Sequence, residues 1–199
     1  IEDFVVGLDI GTTKISVMIG RKNQYGKLEI LGTGKAVSIG VARGIVANID
    51  QTVNSIKEAI EEIKQKSNII INEVFVGIAG QHIKSLQHRG QIVREKIDIE
   101  INNSDLDRLR SNMFKLITIP GEEVIHVIPQ EYTVDGEDSI HDPRGMAGVK
   151  LEANFHVITA QVGAVRNIMR CVEKANLKPK ELVLEPFASA VATLDSDEK

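Results

Sequence analysis

The chain has 199 residues, of which 42% are hydrophobic and 26% charged, and its formal net charge is −4 at pH 7. This length and composition allow a sizeable buried core in one or two domains. The 24 lysines and arginines do not outnumber the 28 acids and form no dense basic block, so a nucleic-acid partner is not expected.

The first predicted element is a hairpin over residues 4–20, with apolar strands at 4–10 and 15–20. The turn carries a glycine that lets the backbone approach a phosphate, two threonines whose amides and hydroxyls can donate to it, and a lysine that adds positive charge. Asp9, an acid at the end of the first strand, is a candidate for holding Mg²⁺ through water. An ordinary hairpin with a polar turn has the same residue types, so both interpretations stay open. The candidate phosphate-binding residues are Gly11, Thr12, Thr13 and Lys14.

The elements that follow complete the first part of a lobe. A strand is predicted at 27–35, a helix at about 50–66 and a returning strand at 74–78, which gives the order β-β-β-α-β. Asp50 is the expected N-cap of the helix. Its predicted apolar stripe consists of Val53, Ile56, Ile60 and Ile63.

The pattern changes near Ile83, where a small α+β insertion is predicted to begin. Its helix is expected to start at Ser104, because Asp107 completes an S-x-x-D capping pattern, and to end at Pro120-Gly121. The inward-facing helix residues are predicted to be Leu106, Leu109, Met113 and Leu116. Half-exposed or paired strands are predicted at 91–101, 124–134 and 149–160.

Near Ala160 the chain is predicted to return to the lobe through a helix whose apolar face includes Cys171. Asn176 is its expected C-cap. A short buried strand at 181–184 then leads into a helix from Glu185, with proline in the first turn, where its missing amide costs nothing. Glu185 either serves chemistry or only stabilises the helix dipole, an effect of a few tenths of a kcal/mol.

The stretch 139–148 contains proline, glycines and an aspartate turn signal, and is predicted to be a loop or bulge joining two strands. It either shapes the turn or forms a contact surface, since Arg144 and Met146 are residue types enriched at interfaces. His82 and His126 are expected to be hydrogen-bonded core or edge residues.

Two motifs resemble the actin, Hsp70 and sugar-kinase superfamily: the Asp-Ile-Gly-Thr-Thr turn at 9–13 and the Glu-Pro-Phe-Ala-Ser-Ala segment at 185–190. By that resemblance, Glu185 corresponds to the acid that orients the attacking water. The absence of a G-x-x-x-x-G-K-[ST] motif excludes a Walker loop.

Two further motifs are similar to the signature of the FtsA family of bacterial actin-like cell-division proteins. They are Ile-Pro-Gln-Glu-Tyr at 128–132 and Asp-Pro-Arg-Gly-Met-Ala-Gly at 142–148. The resemblance implies an α/β fold, an actin-like (ribonuclease H-like) ATPase lobe that is discontinuous and carries an inserted small α+β subdomain. The lobe, subdomain 1A of the family, is expected at 1–82 and 161–199, and the insertion, subdomain 1C, at 83–160.

The resemblance also implies what the whole protein does. It is expected to bind ATP and Mg²⁺, to self-associate into polymers and to act as an adaptor, with at most a slow ATPase activity. FtsZ and the membrane would be bound by parts outside this chain, and later division proteins by subdomain 1C. The expected location is the cytoplasmic face of the membrane at the division site. Because the family continues into a second phosphate loop beyond residue 199, this chain alone is expected to bind MgATP weakly or not at all.

Two alternatives remain from the sequence: a PilM-like pilus-assembly scaffold, and an Hsp70-type or sugar-kinase-type ATPase or phosphotransferase. No sugar pocket or further catalytic aspartate is visible for the latter.

Several site classes are not expected. The acidic first residues lead to the expectation of no signal peptide, and no apolar run approaches the roughly 20 residues of a transmembrane helix. The single cysteine, Cys171, cannot form a disulfide within the chain, and we expect it to be a buried thiol in a reducing cytoplasm. The five histidines lack Cys or His partners at ligand spacing, so a structural zinc is not expected.

Overall fold

The structure, a computed structural model, describes residues 4–67, 69–95, 99–116 and 119–194. The chain divides into two compact units at His82/Ile83 and at Val162/Gly163. We call the unit formed by both chain ends the lobe, and Ile83–Val162 the inserted unit. The elements are β1 (Val5–Ile10), β2 (Lys14–Lys22), β3 (Leu28–Val37), β4 (Val41–Ala42), β5 (Ile45–Val46), α1 (Ile49–Ser67), β6 (Glu73–Ile78), β7 (Ile83–Val93), α2 (Asn103–Leu116), β8 (Glu122–Val134), β9 (Glu137–Ile140), β10 (Lys150–Gln161), α3 (Val162–Lys174), β11 (Lys178–Leu184) and α4 (Glu185–Thr193).

The lobe is built on a five-stranded mixed sheet in the order β11-β6-β1-β2-β3. The hairpin strands β1, β2 and β3 pair antiparallel, whereas β1, β6 and β11 run parallel. Helix α1 lies against β2 and β3 so closely that a Cβ on Gly34 would be 2.1 Å from the main-chain oxygen of Ala59. Glycine at this position therefore sets the distance between helix and sheet.

The apolar stripe of α1 is confirmed, since Val53, Ile56, Ile60 and Ile63 are all buried. The prediction that Asp50 caps this helix is wrong. The Asn48 side chain accepts a hydrogen bond from the Gln51 N–H at 3.0 Å, which is the N-cap interaction of a helix that begins at Ile49. Asp50 lies in the first turn and instead accepts a hydrogen bond from Lys174 of α3 at 3.2 Å.

The inserted unit has a four-stranded antiparallel sheet in the order β7-β10-β8-β9, and α2 packs over one of its faces. Leu109 and Met113 are each 1% exposed and Leu106 packs against the same core, as predicted. The side chain of Leu116 lies outside the described residues. A Cβ on Gly90 would be 2.4 Å from the Met113 sulfur, so glycine at this position allows α2 to pack closely against the sheet.

Two boundaries in the inserted unit differ from the prediction. The strand expected at 91–101 is β7, which ends at Val93, where its pairing with Lys150 of β10 ends; residues 96–98 lie outside the description. Helix α2 is capped not by Ser104 but by Asn102, whose side chain accepts the Ser104 N–H at 2.9 Å. Asp105 completes the capping box by accepting the Asn102 N–H at 3.2 Å.

Strand β9 was not predicted, although it occupies the start of the expected 139–148 loop. It forms a hairpin with β8 through Asp135 and Gly136, whose φ values are 48° and 95°. An Asp-Gly pair with positive φ at both positions is the signature of a type I′ turn. The Asp135 carboxylate also accepts the N–H groups of Val149 and Lys150, and these bonds lower its pKa.

The return to the lobe follows the predicted order. Helix α3 is followed by Asn176, whose φ is 62°. The Asn176 N–H donates to the Glu173 carbonyl, and the Leu177 N–H donates to the Val172 carbonyl. These are the two hydrogen bonds of a Schellman motif. Asn176 is therefore the left-handed residue just after the cap. Helix α4, with Pro186 in its first turn, is confirmed. The strand before it, β11, begins three residues earlier than predicted and is half-buried or exposed along its length, not buried. No helix in the described part of the chain is both long and apolar enough to cross a bilayer.

Candidate functional site

The candidate site lies where the parallel strands of the lobe end. Asp9 of β1 is level with Gly77 of β6, and Gly77 is level with Val183 of β11. Helix α4 begins at Glu185, directly after β11. A Cβ on Gly77 would be 3.2 Å from Cγ of Glu185 and 3.4 Å from its Oε1. The missing side chain at Gly77 therefore leaves the space through which Glu185 reaches Asp9.

The carboxyl groups of Asp9 and Glu185 are in contact and repel each other when both are charged. Burial, the charge of Asp9 and a hydrogen bond between the two side chains raise the pKa of Glu185 to about 7. At neutral pH the Glu185 carboxyl group is therefore protonated for part of the time. The remaining Asp9 oxygen, Oδ1, is buried and has no hydrogen-bond partner among the described residues.

The predicted phosphate turn is tightly closed. The Gly11 N–H donates to the Lys14 carbonyl at 3.1 Å, and a Cβ on Gly11 would be 2.9 Å from that oxygen, which explains the glycine. The Thr12 hydroxyl accepts the Gly44 N–H at 3.3 Å, and the Thr13 carbonyl accepts the Ser38 N–H at 3.2 Å. The segment 38–44 therefore holds the turn from outside, while the side chains of Thr12 and Thr13 remain exposed.

A cavity of about 570 Å³ extends over this edge and the adjoining sheet face. Among the predicted residues, Asp9, Lys14 and Glu185 line it, whereas Gly11, Thr12 and Thr13 lie in the adjoining turn. The lining also includes residues that we did not predict, among them Ser16, Lys35 and Gly77. Asp9, Ser16 and Lys35 form one cross-strand row over β1, β2 and β3.

These additional residues carry weak sequence signals. Ser16 alternates with the buried Ile15 and Val17, so its side chain belongs to the opposite sheet face. Its hydroxyl oxygen is buried without a hydrogen-bond partner among the described residues. A glycine inside a strand, such as Gly77, indicates a close approach by another group, but the sequence does not say which group.

The donor set fits a hard cation and an anion side by side. Carboxylate oxygens such as those of Asp9 are the ligands that Mg²⁺ prefers, directly or through water. The glycine turn and the two lysines at the cavity suit phosphate oxygens. A buried oxygen without a hydrogen-bond partner, such as Asp9 Oδ1, destabilises the folded protein unless a ligand or water interacts with it.

His82 is a core residue, as predicted, but it lacks the expected hydrogen bonds to the residues that the structure describes. It is 1% exposed, and neither ring nitrogen has a hydrogen-bond partner among the described residues, so burial lowers its pKa. Among the described residues, no group of three or more His, Cys, Asp or Glu side chains is arranged to hold a metal.

The predicted contact residues of the inserted unit differ in their surroundings. Arg144 is half-exposed and donates to both carboxylate oxygens of Asp142, which lowers the pKa of that acid to about 2. Met146, by contrast, packs against the core of the inserted unit. Its role is thus partly structural.

Comparisons with known proteins match the inserted unit to one family model and the whole chain to curated relatives. Residues 80–159 match a family model described as the SHS2 domain inserted in FtsA. The chain is 40% identical, over 98% of its length, to the cell division protein FtsA of Pseudomonas aeruginosa, of which it covers 46%. It is 36% identical, over 98% of its length, to FtsA of Neisseria meningitidis, of which it covers 47%. The chain thus spans about half the length of the curated relatives it matches.

The fold is similar to that of a chain of the PilM-PilN type IV pilus biogenesis complex. The TM-score is 0.60 at 16% identity, and the match covers 96% of this chain and 49% of that one. At this identity the likeness concerns the fold, an actin-like ATPase fold, and not the partners.

Proposed function

We infer that the chain belongs to the FtsA family of cell-division proteins, and we propose that the whole protein binds ATP and Mg²⁺ at the edge of the lobe where Asp9 and the glycine turn lie. We further propose that it assembles into actin-like polymers at the division site. In this proposal it is an adaptor that carries FtsZ to the cytoplasmic face of the membrane. FtsZ and the membrane are bound by parts of the protein outside this chain.

One observation carries the nucleotide proposal: Asp9 presents a buried, unpartnered carboxylate oxygen beside Glu185, in a cavity next to a glycine turn. Such an arrangement leaves a place for a cation and for the phosphate that accompanies it. Asp9 would hold Mg²⁺ through water, while Gly11, Thr12, Thr13 and Lys14 would bind phosphate oxygens. Bound Mg²⁺ would neutralise phosphate charge and orient the phosphates.

Glu185 has a different proposed role. It starts α4 and reaches the site over Gly77, so its position is fixed by helix and sheet. A carboxyl group with a pKa of about 7 can accept a proton from water near neutral pH. We assign it to orienting water for a slow ATP hydrolysis, not to metal binding.

The nucleotide proposal is tested in the whole protein by calorimetric titration with MgATP. Asp9→Ala is expected to abolish Mg-dependent binding. Glu185→Ala should preserve binding and slow hydrolysis by a factor on the order of 10²–10⁴. Glu181→Ala, an exposed acid on β11, is the matched control and should change neither. Equal loss of binding with Asp9→Ala and Glu185→Ala would contradict the separate roles.

We propose that the inserted unit serves contacts with other proteins: neighbouring copies in the polymer and later division proteins. The proposal is supported by its polar, half-exposed surface residues, such as Arg144. Arg144→Glu is expected to weaken ATP-dependent pelleting and leave ATP affinity unchanged. Met146→Lys is a poor companion to it, because Met146 packs against the core. Loss of ATP affinity with normal pelleting would refute this role.

A further inference from the structure

The inserted unit contains a second cavity, of about 430 Å³, between α2 and the segment after β9. Its lining includes Arg110 of α2, Tyr132 of β8 and Arg144. None of these residues belongs to the proposed nucleotide site. A volume of this size falls within the range of ligand pockets, about 300–1,000 Å³.

Tyr132 forms a buried wall of this cavity. The residue is 9% exposed, and its ring packs in the core of the inserted unit. Its hydroxyl makes no hydrogen bond to any residue that the structure describes, although the cavity is polar. Burial raises the pKa of Tyr132, and the charges of Arg110, Asp142 and Arg144 act on it. The hydroxyl is therefore neutral and available as a donor inside the cavity.

The two arginines of the cavity differ in their engagement. Arg144 is held by Asp142 through hydrogen bonds of 2.8 Å and 2.6 Å. Arg110 has no hydrogen bond and no ion pair with any residue in the described part of the chain. The lining also includes Asn103 and His141; within it we take the Arg110 guanidinium and the Tyr132 hydroxyl as the donors to a ligand.

This donor set selects a carboxylate. A guanidinium binds a carboxylate through two parallel N–H donors, and the phenol can supply a third hydrogen bond. Phosphate is disfavoured, because the carboxylates of Asp107 and Asp142 line the same cavity and offset both arginine charges. A single negative charge is therefore tolerated better than a dianion.

From this geometry we infer that the cavity binds the side chain of an aspartate or glutamate on a partner polypeptide. Leu106 supplies an apolar contact on the same wall, which suits the methylene groups of such a side chain. The inference rests on the proposed role of the inserted unit in protein contacts. It adds the chemistry by which one such contact is recognised.

The test uses NMR titrations of the isotope-labelled 199-residue chain with N-acetyl-glutamate-N-methylamide. Shifts are expected at the Arg110 side-chain N–H and around Tyr132. The matched neutral probe, N-acetyl-glutamine-N-methylamide, should bind about tenfold more weakly or worse, as expected on losing a charge-assisted hydrogen bond. Acetate and inorganic phosphate serve as the small-anion probes and should both bind more weakly than the glutamate probe.

Arg110→Gln is expected to weaken binding of the glutamate probe by about tenfold or more. Tyr132→Phe, which keeps the buried ring, should weaken it severalfold. Arg108→Gln is the control on the same helix, since Arg108 donates to the Val93 carbonyl and should not affect the probe. Unchanged spectra elsewhere establish that each variant is folded.

Four results would overturn the inference: equal binding of the glutamine probe, tighter binding of phosphate, acetate binding as tight as that of the glutamate probe, or unchanged binding by Arg110→Gln. ATP titration and pelleting of the whole protein are measured separately. The failure of this inference is therefore distinguishable from the failure of the proposed function.

Discussion

Glu185→Gln is expected to stabilise the ligand-free protein at pH 8 and to change its stability little at pH 5. The physical cause is the neighbouring Asp9 together with burial, which raise the pKa of Glu185 from 4.5 to about 7. Between these values the folded state binds more protons than the unfolded state. The free energy of unfolding therefore falls as pH rises through this window, and the loss is complete above pH 7.

The magnitude follows from the same values. The rise of the Glu185 pKa from 4.5 to about 7 corresponds to at most about 3–4 kcal/mol of destabilisation at high pH, at 1.36 kcal/mol per pH unit. Glu185 is only partly buried, so water screens part of the repulsion. We therefore expect Glu185→Gln to gain on the order of 1–2 kcal/mol at pH 8.

The assay is urea unfolding of the protein at pH 5 and pH 8 in the presence of a chelator, with circular dichroism as the measured signal. Glu181→Gln, which removes an exposed acid of β11, is the control and should follow the parent protein at both values. If Glu185→Gln shows the same difference between pH 5 and pH 8 as the parent protein, the coupling between Glu185 and Asp9 is refuted.

Three further predictions concern packing and reactivity. Gly34→Ala should lower the free energy of unfolding by about 1–3 kcal/mol, because its Cβ would lie 2.1 Å from a main-chain oxygen of α1. Gly7→Ala is the control, since a Cβ there meets nothing within 4 Å. An equal loss of stability in both variants would contradict the reasoning. Arg94→Met should cost about 3 kcal/mol in urea unfolding, because Arg94 is 5% exposed and bonds Asp105 and two carbonyls. Arg144→Ala, which breaks a half-exposed pair, should cost less than about 1 kcal/mol. The Cys171 thiol, whose pKa is raised to about 11 by burial, should resist a thiol reagent at pH 8 until urea unfolds the chain; rapid reaction of the native protein would refute its burial.

Local periodicity was enough to predict most elements. The stripe of α1, the hairpin strands and the proline-started α4 all depend on contacts between residues close in sequence. Boundaries were less predictable, because they depend on partners. Asn48 and Asn102 cap two helices for which the sequence predicts caps two residues later, at Asp50 and Ser104. The sequence could not distinguish them, because each of these polar side chains can cap a helix.

The sequence by itself determined the resemblance to the FtsA family, the chain order of the main elements and the individual candidates Asp9, Lys14 and Glu185. Only the tertiary structure brought Asp9 and Glu185 together, because they lie on β1 and α4 and meet across Gly77 of β6. It alone also placed Ser16 and Lys35 in one row with Asp9, and Arg110 beside Tyr132 in the inserted unit. Strand register and sheet order decide these neighbours, and neither is encoded in the local pattern of any one segment.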